Sequence, residues 1–273
     1  MELYSTEKTI QDLNLEDDFL FAKVMSDREI CRKVLEKILK EPIKDVVIPA
    51  TQRTIDILYE GKGIRLDVYV NDDKGTVYNV EMQRGKRREL PKRNRYYAGS
   101  IDLDLISSGM PYTALKKAYV IFICIFDPFQ EKRHLYTFEN ICREDTSLTL
   151  QDESIKIFLN TKGNTDDVDE EMKEFLSYVE NTTDAFAQRA KYPLVKELHK
   201  KVNEVKQNKE MEVEYMTLLQ RDRENMEQGE EKMAALTKLL LKEHRTKDLE
   251  RALEDVDFRK RLTCGIFMRQ RWK

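Results

Sequence analysis

The sequence is short of the residues that form several common kinds of site. Its cysteines are scattered and form no C-x-x-C pair, and its histidines have no partner at metal-ligand spacing, which excludes a zinc site of the usual pattern. These residues are Cys31, Cys124, Cys142, Cys264, His134, His199 and His244. Neither a G-x-x-x-x-G-K-[ST] phosphate loop nor a G-x-S-x-G serine elbow is present, so we expect no nucleotide cofactor and no serine hydrolysis.

Long apolar runs and a strong net charge are also absent. The longest apolar run, residues 118–126, falls well short of the ~20 residues that cross a bilayer. We therefore expect no membrane contact, and the scattered cysteines favour reduced thiols in a cytoplasmic protein. A net charge of −3 does not mark a nucleic-acid binder, so any site for a polyanion must come from local clustering.

What the sequence does contain is an alternation of elements over its first two thirds. Helices are predicted over residues 17–40, 90–108 and 166–180, and strands over 51–59, 64–70, 76–83, 117–126, 135–138 and 155–160. This order predicts an α/β fold in which a central mixed sheet is flanked by helices. We expect a domain over residues 1–180.

The remainder is helical and highly charged. Residues 187–229 predict one long helix or two with a narrow apolar stripe, and Gly229 is expected to end it. The sequence thus predicts a charged helical segment over 181–232 and a small helical region over 233–273. Because a narrow apolar stripe favours a partner helix, a homodimer through this part of the chain is one possibility.

Acidic residues interrupt two neighbouring strands, RLDVYV and VYNVEMQ, although carboxylates are depleted in strands. Side chains alternate along a strand, so Asp67, Glu81 and Gln83 share one face if paired residue numbers sum to an even value. A turn centred on Asp73 makes Asp67 and Glu81 diagonal neighbours, whereas one centred on Lys74 pairs them directly. Either register would let both carboxylates reach one divalent cation. The alternative is that both face solvent, with Glu81 paired to Arg65.

Several stretches together resemble one family. They are DDFLFAKVM, RLDVYV, VYNVEMQ, LPKRNRYYAGSIDLDLI, YVIFICIFDPF and KIFLNTKG. They are similar to the PD-(D/E)xK nuclease superfamily, more specifically to its Rpn-type, recombination-promoting branch of nuclease family transposases. The resemblance implies a restriction-endonuclease-like core and a metal-dependent DNA endonuclease of low sequence specificity, linked to recombination, mobile elements or defence. It also implies a bacterial protein that acts at the nucleoid.

Site residues follow from the resemblance by position. It implies that Asp67, Glu81 and the backbone carbonyl of Met82 hold Mg²⁺, with Mn²⁺ as a substitute, and that Asp18 adds a ligand, with Asp17 as its alternative. Gln83 occupies the position where most of the superfamily has lysine. A neutral amide can orient a water molecule but supplies no charge, so metal charge or a nearby cation must replace it.

A cluster of basic residues follows the carboxylates directly. Residues 84–95 carry seven basic side chains and one acidic, and we expect them to contact the DNA backbone unless they are only the solvated start of a helix. The basic residues are Arg84, Lys86, Arg87, Arg88, Lys92, Arg93 and Arg95. The alternative to a nuclease is a catalytically inactive relative that binds DNA or regulates, and assembles through its helical tail.

Overall fold

A six-stranded mixed sheet forms the centre of the first part of the chain. The computed structural model describes residues 8–48, 54–55, 64–65, 67–85, 89–256 and 258–263, with only the backbone at 54–55 and 64–65. The strands are β1 (Val46–Val47), β2 (Thr54–Ile55), β3 (Ile64–Arg65), β4 (Val68–Asp72), β5 (Val77–Gln83), β6 (Ala118–Cys124), β7 (Leu135–Phe138) and β8 (Ser154–Asn160). β2 and β3 form a separate antiparallel pair.

The order across the main sheet is β1-β4-β5-β6-β8-β7. β5, β6 and β8 run parallel, while β1, β4 and β7 are antiparallel to their neighbours. Gln83, Cys124 and Asn160 lie side by side, so the carboxyl ends of the parallel strands share one edge. Sheets with parallel strands bind ligands at this edge. The predicted α/β fold with a central mixed sheet and a restriction-endonuclease-like core is confirmed.

Eight α-helices accompany the strands in the part of the chain that the structure describes. They are α1 (Asp18–Met25), α2 (Arg28–Leu39), α3 (Leu90–Leu105), α4 (Glu170–Glu180), α5 (Asp184–Arg189), α6 (Pro193–Gln207), α7 (Lys209–Lys242) and α8 (Thr246–Glu254). The sequence predicted one helix over 17–40, but the chain breaks at Ser26 because Asp27 caps a new helix by accepting bonds from the N–H groups of Glu29 and Ile30. No helix among the described residues is both long and apolar enough to cross a membrane.

One face of the sheet packs against α3. Tyr97 and Ile101 of this helix join a buried cluster with Phe122 of β6 and Phe158 of β8. The same face carries the odd-numbered residues of β5, because side chains alternate along a strand. The first turn of α3, which contains Pro91, therefore lies over the end of β5 that carries Glu81 and Gln83.

The chain divides into two compact units, residues 1–211 and 212–273. The first unit includes α6, because this helix packs against α1, α2 and α4. The domain boundaries after residues 180 and 232 stay a prediction. The second has its own small core of Leu236, Leu240 and Ala252. The expectation that Gly229 ends a helix is wrong, since α7 continues through it. A glycine costs a helix only about 1 kcal/mol, and strong helix formers surround this one.

Candidate active site

The hairpin of β4 and β5 brings Asp67 and Glu81 together. Val68 pairs with Val80 and Val70 with Tyr78, so the register is centred on Lys74 and its next step places Asp67 opposite Glu81. This is the direct pairing, the second of the two predicted registers. The N–H of Asp67 donates to Oε1 of Glu81 at 3.2 Å, and the N–H of Met82 donates to Oδ2 of Asp67 at 3.2 Å.

The turn explains this register. Oδ1 of Asp72 accepts bonds from the N–H groups of Lys74 and Thr76, at 2.9 and 2.8 Å. Gly75 has a φ of +82°, a left-handed conformation that glycine adopts without steric cost. An aspartate that bonds to the following backbone and a left-handed glycine together define a tight turn. The turn in this way sets which residues of β4 and β5 face each other.

Glu81 is a buried carboxylate with a second carboxylate beside it. Its exposed fraction is only 1%, which excludes the alternative of a solvent-facing strand residue. Burial raises the pKa of Glu81 from its usual value, and the charge of Asp67 raises this pKa further. Two acidic groups under this strain are the arrangement that a divalent cation relieves, because the cation favours both ionised forms.

The backbone of Met82 faces the same neighbour. Met82 lies beyond the last residue of β5 that pairs with β4, and its N–H bonds to the carboxylate of Asp67 instead of to a strand. The N–H and C=O of one strand residue point to the same side. The carbonyl of Met82 is therefore directed toward the side where Asp67 lies, which makes it an oxygen donor beside the carboxylates.

Gln83 is held at both ends of its amide. Oε1 accepts a bond from Nη1 of Arg93 at 2.8 Å, and Nε2 donates to the carbonyl of Gly85 at 2.8 Å. The side chain is buried at the carboxyl edge of the sheet. Gln83 thus has a defined orientation next to Glu81, but it brings no charge to the site.

Arg93 of α3 is a basic residue that contacts the carboxylate of Glu81. Its Nη2 donates to Oε2 of Glu81 at 3.1 Å, and its Nε donates to the hydroxyl of Tyr97 at 2.8 Å. The predicted alternative partner, Arg65, pairs through its backbone with Thr54, and its side chain lies outside the described residues. Sequence reasoning placed Arg93 only among DNA-backbone contacts. The four-residue spacing of Arg93 and Tyr97 on one helix face was the available signal.

The acidic residues at the start of α1 lie near this edge of the sheet. Asp17 is buried, and its Oδ1 accepts a bond from Nη1 of Arg84 at 2.8 Å. Asp18 is exposed at the surface. Its pKa is raised overall, mainly by loss of hydration and also by the charge of Asp17, against the opposing charges of Arg84 and Arg93. Asp17 thus forms an ion pair with Arg84, whereas Asp18 lies near enough to Arg84 and Arg93 to interact with their charges.

Across the described residues, no three side chains of His, Cys, Asp or Glu come close enough together to hold a metal ion. Asp18 therefore does not complete a carboxylate triad with Asp67 and Glu81 in this structure, and its role as a ligand stays a prediction. The oxygen donors that the structure does bring together are the carboxylates of Asp67 and Glu81, and the carbonyl of Met82 as a further ligand stays a prediction. Hard divalent ions such as Mg²⁺ take one or two protein carboxylates, with water and substrate oxygens completing the shell.

The remaining basic residues surround the site unevenly. Lys92 and Arg95 are exposed on α3 and form no ion pair with any residue that the structure describes, so both are available to a polyanion. Arg84 is half exposed and paired with Asp17. Three further predicted contacts, Lys86, Arg87 and Arg88, lie outside the described residues.

Two buried amides beneath the site were not predicted. Asn79 lies two residues before Glu81 on the same face and is fully buried, and neither the oxygen nor the nitrogen of its amide has a hydrogen-bond partner among the described residues. Asn94, next to Arg93 on α3, donates to the carbonyl of Val120 at 3.3 Å. The sequence indicated the position of Asn79 only through its two-residue spacing from Glu81, which places both side chains on one face of the strand.

The comparison with protein families decides the wider grouping. The model for the PD-(D/E)XK nuclease family transposases matches residues 15–237 of the 273 residues. The chain belongs to this family. A search of curated proteins and a search of solved structures found no significant match. The resemblance in the short sequence stretches is thereby confirmed.

Membership in the PD-(D/E)XK family gives the opposed carboxylates a chemical context. A nuclease-type function on nucleic acid is indicated, and nucleases of this class generally use divalent metal ions. The matched region includes the hairpin, α3 and the parallel strands, and ends within α7. The carboxylates, Gln83 and Arg93 accordingly all lie in the part of the chain that defines the family.

Proposed function

We propose that this protein is a metal-dependent endonuclease that hydrolyses phosphodiester bonds of DNA with little sequence specificity. The observation that carries the proposal is the direct pairing of Asp67 and Glu81 at the carboxyl edge of the sheet. Burial and mutual repulsion of two carboxylates cost stability, and a cation offsets this cost. A protein that retains such a pair beside a basic helix start is equipped to bind a divalent ion and a phosphate together.

The donor chemistry fits Mg²⁺, with Mn²⁺ as a substitute. Asp67, Glu81 and the carbonyl of Met82 would hold the ion, and Asp18 is the candidate for a further ligand through water. An ion bound there supplies a water of lowered pKa and neutralises charge on the phosphate. All of these donors are oxygen atoms, which hard divalent ions prefer over nitrogen and sulfur.

The other residues of the chain position the reactants. Gln83, fixed between Arg93 and Gly85, presents an amide that can orient a water molecule near Glu81. Lys92 and Arg95 extend outward from α3 and would bind the DNA backbone. Phosphate contacts carry no sequence information by themselves, which is why we propose low sequence specificity.

Plasmid nicking tests the proposal. Supercoiled plasmid is incubated with the full chain in Mg²⁺, Mn²⁺ or EDTA, and open-circular and linear DNA are quantified. We expect cleavage with either metal and none with EDTA. Asp67→Ala and Glu81→Ala should each lower the rate by at least about a hundredfold, because each removes a charged ligand.

Asp73→Ala is the matched control, since Asp73 is an exposed aspartate in the turn of the same hairpin. Its rate should equal that of the wild type. Cleavage that persists in both Asp67→Ala and Glu81→Ala would reject the site, and a wild type inactive with every metal would reject the nuclease.

One observation favours a second candidate function. Gln83 is neutral and bonded at both ends, so the site lacks the lysine of most superfamily members. The alternative is a catalytically inactive protein of nuclease fold that binds DNA or regulates, and assembles through its helical part. DNA binding in gel-shift assays without cleavage under any metal would favour this candidate.

Assembly into a homodimer is also part of the proposal. α7 spans 34 residues, and its apolar residues Val213, Met216 and Met226 are exposed. Exposed apolar residues on a long helix favour pairing with a second helix. Two nuclease sites in one dimer would suit cleavage of both DNA strands. A single monomeric species in light scattering at micromolar concentration would refute the dimer.

A further inference from the structure

The proposed reaction needs a positive charge that Gln83 does not supply. Negative charge builds up on the phosphate during hydrolysis, and preorganised cations and donors stabilise it. Both ends of the Gln83 amide are engaged, with Arg93 and with Gly85. Arg84, one of the two cations nearest to Gln83 in sequence, donates a hydrogen bond to Asp17. The other, Lys86, lies outside the described residues.

Arg93 lies where such a charge is needed. Its guanidinium spans both residues of the E-x-Q segment, donating to Glu81 at 3.1 Å and to Gln83 at 2.8 Å. The third bond, from Nε to Tyr97, ties it to its own helix. A side chain bound at three points in this way has little rotational freedom, so its charge is preorganised.

Aromatic rings fix the plane of the guanidinium. Its central carbon lies 5.0 Å from the ring centre of Tyr97 and 5.5 Å from that of Phe122, distances at which a cation is attracted to the ring face. The side chain remains 27% exposed, although Glu81 below it is 1% exposed. Arg93 therefore lies between the buried carboxylate of Glu81 and solvent.

The donors of Arg93 are not exhausted by these contacts. A guanidinium carries five N–H groups, and one on each of Nε, Nη1 and Nη2 is used within the described residues. One N–H of Nη1 and one of Nη2 therefore have no partner among the described residues and can donate to a phosphate oxygen. This second pair of donors distinguishes Arg93 from a simple counter-ion of Glu81.

We propose that Arg93 is a catalytic residue that contacts the phosphate under attack and supplies the positive charge missing at position 83. The inference rests on the proposed nuclease function. Arg93 acts while it stays bonded to Glu81 and Gln83, so that a phosphate bound through its outer N–H groups is held directly beside the carboxylates.

The test moves the charge from one position to the other. Plasmid cleavage in Mg²⁺ is measured for the full-length wild type, Arg93→Gln, Gln83→Lys and the double variant Arg93→Gln/Gln83→Lys. We expect Arg93→Gln to lower kcat by about a hundredfold or more, the range for loss of a preorganised donor. The double variant should recover at least about tenfold of that loss, because lysine at position 83 restores a charge beside Glu81.

Controls separate catalysis from binding and folding. Lys196→Gln removes the same charge from an exposed position of α6, a helix that carries none of the proposed site residues, and should leave kcat within about threefold of the wild type. The affinity for plasmid DNA in Ca²⁺ should change little in Arg93→Gln. Circular dichroism melting reports whether each variant folds. If Arg93→Gln does not fold, Arg93→Lys replaces it, with an expected loss of about tenfold because lysine keeps the charge but lacks the planar fork of donors that arginine offers to a phosphate.

The outcomes are distinct. A folded Arg93→Gln, or in its place Arg93→Lys, that cleaves within threefold of the wild type overturns the inference alone. A double variant no faster than Arg93→Gln also overturns it, because Arg93 would then only support the fold of the site. A wild type that cleaves nothing overturns the proposed function, and this inference with it.

Discussion

The Glu81→Gln variant should be slightly less stable than the wild type at pH 5 but more stable than the wild type at pH 8.5. Burial, and then the charge of Asp67, raise the pKa of Glu81 from 4.5 to about 8 in the folded chain. A raised pKa means that the folded protein keeps its full stability below pH 4.5 and loses stability as the pH rises toward 8. Glutamine mimics the protonated side chain at every pH, so this loss is absent from Glu81→Gln.

The expected size follows from the same shift. A rise in pKa from 4.5 to about 8 corresponds to at most roughly 5 kcal/mol in the free energy of unfolding above pH 8. The variant pays a separate cost of about 1–3 kcal/mol, because a glutamine cannot accept bonds from both the N–H of Asp67 and Nη2 of Arg93. We expect the metal-free variant to be about 2–4 kcal/mol more stable at pH 8.5 and slightly less stable at pH 5.

Urea unfolding with EDTA at both pH values measures this difference. Glu139→Gln is the matched control, since Glu139 is exposed and should change stability by less than about 0.5 kcal/mol. Adding Mg²⁺ at pH 8.5 should stabilise the wild type and leave Glu81→Gln unchanged, because an ion stabilises the state that binds it. If Glu81→Gln is less stable than the wild type at both pH values, the claim that burial and the charge of Asp67 destabilise ionised Glu81 is refuted.

Two further predictions concern the fold around the site. Gly163→Ala should lower the free energy of unfolding by about 2 kcal/mol or more, because a Cβ at this position would lie 2.5 Å from Cγ of His134. Chemical denaturation measures the change. Gly99→Ala is the control, because a Cβ at position 99 would have no atom within 4 Å and should not destabilise the protein. A thiol reagent should modify neither Cys31 nor Cys124 in the folded protein, since burial raises the pKa of both thiols to about 12; mass spectrometry that finds either labelled before unfolding would contradict the packing.

The sequence predicted the sheet well because its strands are strongly patterned. The apolar run that became β6 is buried along its whole length, as expected for a central parallel strand. Helix ends were harder to predict, because a single capping residue such as Asp27 decides whether two helices form or one. The extent of α7 was missed for a related reason: the small cost of Gly229 is outweighed by its neighbours.

The candidate site was also predicted in part from local patterns and decided in part by contacts in the structure. Alternation along one strand placed Glu81 and Gln83 on the same face, because the side-chain period of a strand is fixed at two, and Asp67 joined them on condition that paired residue numbers sum to an even value. Alternation could not distinguish the two registers, because paired residue numbers sum to an even value in both. The carboxylate of Asp72 and the left-handed Gly75 made that choice within the turn.

The sequence by itself determined the periodicity of each element, the face that carries the acidic side chains and the charge of the helix that follows. Only the tertiary structure decided that Arg93 turns inward to Glu81 and Gln83 while Lys92 and Arg95 remain in solvent. The physical reason is that local spacing is set by the bonds of one strand or helix. Contacts between a strand and a helix depend instead on how their surfaces pack, and no period along the chain records that packing.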